Sequence, residues 1–554
     1  MKKIFTLLTI GLALMSAGAN AQAPNWSWAK NAGGSGNDIS NGVCVDASGN
    51  TYVTGNFTSS SITFGSTTLS NTAAGGLDYF LVKYDASGNV LWAKGASGVS
   101  NDGGSKVAVD ANGNVYVSGN TNSNTLTFGS TTLALHGYDD TFIVKYDASG
   151  NVLWAKIAGG SANDIGLGIS LDGSGNAYIC GYFASSTMSF GTTSITNAGG
   201  NDIFVAKYDA SGNVVWAKRV GGTGDDSANG VDVDASGNVF ITGTFLSSSI
   251  SFGTTTLSNG GGIDMFTAKL DASGTAVWAK SATGVSNDVA NGVKMDPSGN
   301  AIVIGTFNSS TLTFGSFPLT LKSYDDIFLV KYDPSGTVLW AKSAGGTAND
   351  IGASVTVDHY GNSYLTGYFA STSMTMGTTV LTNSASTYAM YVAEYDPSGT
   401  EIWAKSTPST GDDRGNSIAV DILGNSYITG SFTTASLAFG SSTLTNAGGS
   451  DMYVAKLLTN TLGIHEADKS SVTMTVYPNP STGVFALQLK GLPNSFSEAH
   501  ISVVDMLGRE VYSSLLNMQN TSHVVDLSGQ TNGLYFVIVG NNNEQFSTRV
   551  FLNK

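Results

Sequence analysis

Seven aspartates, Asp38, Asp102, Asp164, Asp226, Asp288, Asp350 and Asp413, each stand ten residues after a tryptophan, with Asn or Asp just before them. A ring of carboxylates has two kinds of chemistry open to it. It could hold cations, calcium first, or supply acid–base pairs to a secreted lyase or hydrolase acting on polysaccharide. A second set, Asp78, Asp140, Asp202, Asp264, Asp326 and Asp451, recurs later in each unit and is broken only by Ala389. Recurrence itself argues against both chemistries, because a single ligand site should break the symmetry. The expectation is that each Asp38-type residue caps loop amides and ties its unit to a neighbour. No cofactor is expected, calcium being the one candidate.

Departures from the pattern are the better guide to function. Where other units place Cys44, Ala108, Ser170, Thr356 and Ala419, two adjacent units carry Asp232 and Lys294. These could line a channel, but the cost of a lone buried charge favours mutual compensation. Arg414 is the one arginine expected in the loops that join units. With His136 and Lys322 it could meet an anionic partner or simply face solvent. The sixth unit has Met376 for a recurrent phenylalanine and Glu394 for a recurrent lysine. Only His136 and His359 fall within the repeats, and no HExxH, GxSxG or phosphate-cradling loop is present, so an enzyme finds little support.

The elements that position these residues follow from the repeat. Trp-Ala-Lys begins at Trp28, Trp92, Trp154, Trp216, Trp278, Trp340 and Trp403, in steps of 62 to 64 residues. In the unit from Trp92, short alternating runs at Val107–Asp110, Val115–Gly119 and Phe142–Tyr146 read as strands, joined by Gly/Asn/Asp turns. A longer insert holds Thr127-Phe128-Gly129. Turns such as Asp85-Ala86-Ser87-Gly88-Asn89 occur 13 times. Each has one carboxylate to accept turn amides and a glycine for the left-handed position. One carboxylate per loop is far short of the six to eight oxygens calcium takes.

Four strands per unit, repeated seven times, predict an all-β, seven-bladed β-propeller. Trp26–Lys30 has no hairpin before it and Met452–Lys456 no tryptophan strand after it, so the two ends are expected to pair and close the ring. In that strand order the tight turns share a trim face. The longer loops share the other, where binding is expected. The repeat core, VDASGNVFITG at Val233–Gly243, resembles the bacterial SBBP β-propeller repeats over about residues 24–458. That resemblance implies a fold and no shared reaction.

The remaining segments concern export. Lys2 and Lys3, an apolar stretch from Ile4 to Ala17 and Ala19-Asn20-Ala21 fit a signal peptide at 1–21 cleaved after Ala21. No segment is long and apolar enough to read as a membrane span. The propeller is placed at 22–458, a polar linker at 459–471 and a small β-sandwich at 472–554. That last domain carries Tyr477-Pro478-Asn479-Pro480, then Gly483, Asp505, Gly508 and Arg509, and Gly533 with Tyr535. These motifs are similar to the type A C-terminal sorting domain of the Bacteroidetes type IX secretion system. The resemblance implies recognition by that translocon, export through the periplasm and across the outer membrane, and removal of the domain afterwards.

A formal net charge of −15, with 25 basic residues among which only four are arginines, argues against nucleic acid. Cys44 and Cys180 cannot build a disulfide scaffold and read as small buried hydrophobes. The expectation is a secreted or cell-surface, non-catalytic binding or adhesion protein whose long-loop face meets a glycan or a protein. A secreted carbohydrate-active enzyme using channel carboxylates, and a structural surface-layer component, are the alternatives.

Overall fold

The computed structural model describes residues 23–72, 76–282, 284–385, 387–459, 473–490, 500–505, 510–516, 522–540 and 545–554. The expected leader with Ala21, nearly all of the linker, and Gly508 and Arg509 lie outside them. Every regular element described is a strand. Among the described residues no helix is long and apolar enough to cross a membrane.

The repeats form seven four-stranded antiparallel sheets. Sheet one runs Asp38–Val45, Thr51–Phe57, Asp78–Tyr84 and Val90–Gly95, with neighbours in chain order. The first strands of sheets two to seven begin at Asp102, Asp164, Asp226, Asp288, Asp350 and Asp413. Sheet seven takes its fourth strand from the far end of the chain. Trp26–Ala32 pairs antiparallel with Asp451–Leu457, Trp28 opposite Lys456. First strands of consecutive sheets pack side by side, and that of sheet seven lies against that of sheet one.

Burial explains the residue pattern. The third strand of sheet one, Asp78–Tyr84, is buried at every position, because neighbouring sheets cover both its faces. Its run of apolar residues therefore lacks the alternation of a half-exposed strand. The first strand, Asp38–Val45, alternates more and carries the polar variation.

The insert is more ordered than the sequence suggests. It forms a two-stranded hairpin in every unit, Thr125–Phe128 with Thr131–Ala134 in the second, so each repeat has six strands rather than four. Leu126 and Phe128 turn inward, and Phe128 meets Phe142 at 5.0 Å between ring centroids. The strands are four residues long and rich in exposed threonine, which made them read as loop. Met376 fills the phenylalanine's place in sheet six and is fully buried.

Sheets are locked together through their turns. Trp28 donates its indole N–H to the Ala86 carbonyl of the next sheet at 3.2 Å, and its ring lies over Gly88. Gly88 has φ +80°, and a Cβ there would stand 2.8 Å from the ring, so only glycine fits. Trp92, Trp154, Trp216, Trp278 and Trp340 make the same bond to Ala148, Ala210, Ala272, Pro334 and Pro397. Lys83, over the Tyr52 ring at 4.9 Å, donates to that same carbonyl of Ala148.

The C-terminal segment has a three-stranded sheet (Thr473–Tyr477, Val484–Lys490, Ser522–Asp526) and a four-stranded one (Glu510–Leu515, His500–Val504, Gly533–Gly540, Gln545–Leu552). Phe485, Leu487 and Val525 of the first share a core with Ile501, Val503, Val537 and Val550 of the second. This is the two-layer arrangement of a small sandwich.

Candidate functional site

The seven Asp38-type carboxylates open the first strand of each sheet, and all are buried to 2% exposure or less. Asp38 accepts from Gly34 N and Ser59 Oγ on one oxygen, and from Thr58 N and Ser59 N on the other. A serine or threonine hydroxyl stands on every one: Ser123, Ser185, Ser247, Ser309, Ser371 and Thr434 donate to Asp102, Asp164, Asp226, Asp288, Asp350 and Asp413 at 2.6–2.8 Å. The backbone N–H of each aspartate reaches the preceding sheet, as Asp164 N does to Asp139 O at 2.6 Å. Thus the carboxylate organises its own sheet's loops, and the amide makes the tie to the neighbour.

The second set faces the first across each sheet boundary. Asp140 accepts from His136 N, Asp264 from Gly260 N, Asp326 from Lys322 N and Asp451 from Ala447 N, all on Oδ2. Asp202 also binds Arg219 at 2.9 Å, an ion pair no spacing had indicated. Among the described residues, Oδ1 of Asp140, Asp202, Asp264, Asp326 and Asp451 is buried without a hydrogen-bond donor. For four of these, Oδ1 lies against a glycine: a Cβ on Gly33, Gly159, Gly221 or Gly345 would fall 2.0–2.1 Å from it. Burial holds the carboxyls of Asp102, Asp140, Asp326 and Asp350 up at about 6; the facing carboxylate adds to the rise for Asp102, Asp140 and Asp350, and the adjacent Asp325 for Asp326. No group of three or more His, Cys, Asp or Glu that could hold a metal occurs among the described residues.

The first strands of all seven sheets line a cavity of about 370 Å³. Asp232 and Lys294 meet on its wall at 2.8 Å. Ser170 donates to the same Asp232 oxygen, and Met295 N to the other. Lys106 is also on the wall and donates to Asn41 O at 3.0 Å; burial holds its ammonium down at about 8. Cys180 is fully buried, but Cys44 is only partly so and lines the cavity. On the tight-turn side a second cavity, of about 610 Å³, opens between Asp232, Lys294, Ser236, Pro297 and His359. The turn face is therefore less trim than expected.

Arg414 lies within the first strand of sheet seven, not in a joining loop. Its guanidinium sits 5.0 Å from the centroids of both Tyr368 and Tyr388, whose rings meet edge to face. Its one ion pair among the described residues is a 4.0 Å contact with Asp412. Tyr368 and Tyr388 were missed because their places vary freely between units. His136 and Lys322 lie elsewhere on this face. His136 pairs with Asp140 at 3.3 Å, and Lys322 donates to Gly345 O.

In the C-terminal sandwich, Pro478 and Pro480 bracket Asn479, which donates to Arg549 O and accepts from Phe551 N, holding the motif to the last strand. Tyr477 is exposed, Asp505 is buried, and Gly483 has φ +125°. Tyr535, two residues after Gly533, donates to Thr531 O at 2.8 Å.

Comparison with known proteins agrees with both resemblances. A secretion system C-terminal sorting domain matches residues 475–553, and a beta-propeller repeat, SBBP, matches 97–126, 215–244 and 408–431. The sorting domain marks the chain for handling by the type IX secretion system, and so for export to the cell surface or the extracellular space. An uncharacterized WD repeat-containing protein of Acanthamoeba polyphaga mimivirus is 25% identical over 473 residues, 70% of this chain and 34% of that protein. Regulatory protein FlaEY of Caulobacter vibrioides is 24% identical over 265 residues, 44% of this chain and 27% of that protein. The chain thus spans about a third of the length of these relatives. Among solved structures, Sqt1 from Chaetomium thermophilum is 10% identical with a TM-score of 0.35, covering 76% of this chain and 86% of that one.

Proposed function

We propose that this chain, with SBBP propeller repeats followed by a type IX sorting domain, is an exported, non-catalytic binding or adhesion protein. Its seven sheets close into a seven-bladed propeller, the seam being the pair Trp26–Ala32 and Asp451–Leu457. The long-loop face meets the ligand, a glycan or a protein.

The observation that carries this reading is the contrast between the Asp38 ring and Arg414. The ring's carboxylates are already engaged by loop amides and hydroxyls, as structural groups are. Arg414 instead holds its guanidinium between two tyrosine rings, with only a 4.0 Å ion pair among the described residues to occupy its N–H groups. A pre-oriented guanidinium with donors to spare is a recognition element.

The test is a glycan array probed with the recombinant protein, with and without calcium, beside a product assay on the same polysaccharides. Binding without turnover supports the proposal. Release of product from any polysaccharide would overturn its non-catalytic part.

A further inference from the structure

Sheets two and five depart from the repeat in the same way. Both carry Gly-Val-Ser-Asn before the first-strand aspartate, at Gly98–Asn101 and Gly284–Asn287. Both have an asparagine after the second strand, Asn122 and Asn308, and a leucine, Leu135 and Leu321, where the other units have asparagine. Both then read basic-x-Tyr-Asp-Asp, His136 to Asp140 and Lys322 to Asp326. Sheets three, four and seven have glycine at the tyrosine's place: Gly200, Gly262 and Gly449.

These changes form one structure. Asn122 donates to Asp139 Oδ1 at 3.1 Å, and Asn308 to Asp325 Oδ1 at 3.0 Å. Asn308 also holds Tyr324 O at 2.8 Å. In the glycine-bearing sheets, the asparagine that follows the hairpin's second strand holds that carbonyl instead, as Asn197 holds Gly200 O. The leucine and asparagine exchanges therefore move the support so that a tyrosine–aspartate pair can be displayed. Tyr138 and Tyr324 are 69% and 65% exposed, and Val99 and Val285 on the adjoining loops 74% and 70%. Tyr324 has φ +50°, the one non-glycine residue at positive φ among those described.

We propose that Tyr138 with Asp139, and Tyr324 with Asp325, are two related sites for a neutral polysaccharide. This rests on the long-loop face being the binding face, and names its ligand. The exposed ring takes the C–H face of a sugar, and the carboxylate oxygen left over from the asparagine accepts sugar hydroxyls. A net charge of −15 disfavours a polyanion. Two sites on one rigid face engage a repeating polymer with avidity.

The test uses the whole chain in native gels containing soluble β-1,3-glucan, xylan or galactomannan, with alginate as the polyanionic control. The bound polymer's hexasaccharide is then titrated calorimetrically. We expect retardation by a neutral polymer but not by alginate, and two hexasaccharides per chain. Tyr138→Ala and Tyr324→Ala should each leave one site and weaken polymer binding roughly 100-fold or more, and the double variant should leave none, at an unchanged Tm. Retardation that survives in the double variant overturns these sites and leaves the binding function standing. Failure to bind any neutral polymer overturns the sites, and silence on the glycan array and towards protein ligands as well would bring down the function itself.

Discussion

Trp403 donates its indole N–H to Glu394 at 2.5 Å, where six other tryptophans donate to a turn carbonyl of the next sheet. The sheet that follows Trp403 is sheet seven, whose third and fourth strands come from opposite ends of the chain. No turn joins them, so Trp403 would not find the carbonyl that the other six tryptophans use. Glu394 supplies one, taking Trp403 on one oxygen and Tyr364 on the other. The odd residue of the sixth repeat is a consequence of the seam. Lys405 completes it by donating to Pro24 O at 2.7 Å.

Restoring the repeat's own residue there should therefore be harmful. Glu394→Lys would leave the buried Trp403 indole N–H without its acceptor while Tyr364 keeps Asp358, and should cost about 1–3 kcal/mol. Urea unfolding of the variant gives the value; a change below about 0.5 kcal/mol would remove this account of the seam.

Acidification from pH 8 towards 5 should raise the melting temperature by several degrees. The carboxyls of Asp102, Asp140, Asp326 and Asp350 sit at about 6 in the folded chain and that of Glu394 at about 7, all lifted chiefly by burial. Folded values above the unfolded ones mean that the folded state binds more protons. Their contribution is complete below about pH 4 and is lost as pH rises through 6 to 7. Partly buried turn carboxylates such as Asp172 and Asp296 are shifted down and act oppositely, below about pH 4. Calorimetry across this range would contradict the assignment if melting were flat or fell on acidification.

The Asp38-type ring should be indifferent to calcium. Ser185→Ala, which takes the hydroxyl from Asp164, should cost about 1–3 kcal/mol, and millimolar calcium should leave the parent's melting temperature in place. A calcium-dependent rise that disappears in Asp38→Asn would reverse the structural reading of the ring.

Gly212→Ala should destabilise more than an ordinary surface change. Gly212 has φ +82°, and the new Cβ would stand 2.8 Å from the Trp154 ring. The left-handed backbone alone costs about 1–2 kcal/mol. Thermal melts compared with Gly173→Ala, where a Cβ meets nothing within 4 Å, isolate the effect.

In the recognition role proposed for Arg414, Arg414→Lys should weaken ligand binding and leave the fold intact. Lysine keeps the charge but loses the planar stack on Tyr368 and Tyr388. Equal binding by the two proteins would dissociate Arg414 from recognition.

Local chemistry made much of this protein legible. The Asp-x-x-Gly-Asn turns and the strands between them follow from residues within a few positions of each other, because turn amides and left-handed glycines are satisfied locally; the pairing of the two chain ends was legible in a different way, from the complementary strands the repeat leaves unmatched at its first and last copies. The hairpin insert was not legible: its strands are four residues long, and the rings that Phe128 packs on, Tyr79 and Phe142, come from the third strands of two different sheets. Tertiary structure alone decided which polar groups remain available. Asp38 and Asp139 are both acidic residues of loop ends, yet one is buried among four donors and the other stands beside an exposed ring. That difference arises from which loops of neighbouring sheets come within hydrogen-bonding distance, a relation between residues far apart in the chain that no spacing encodes.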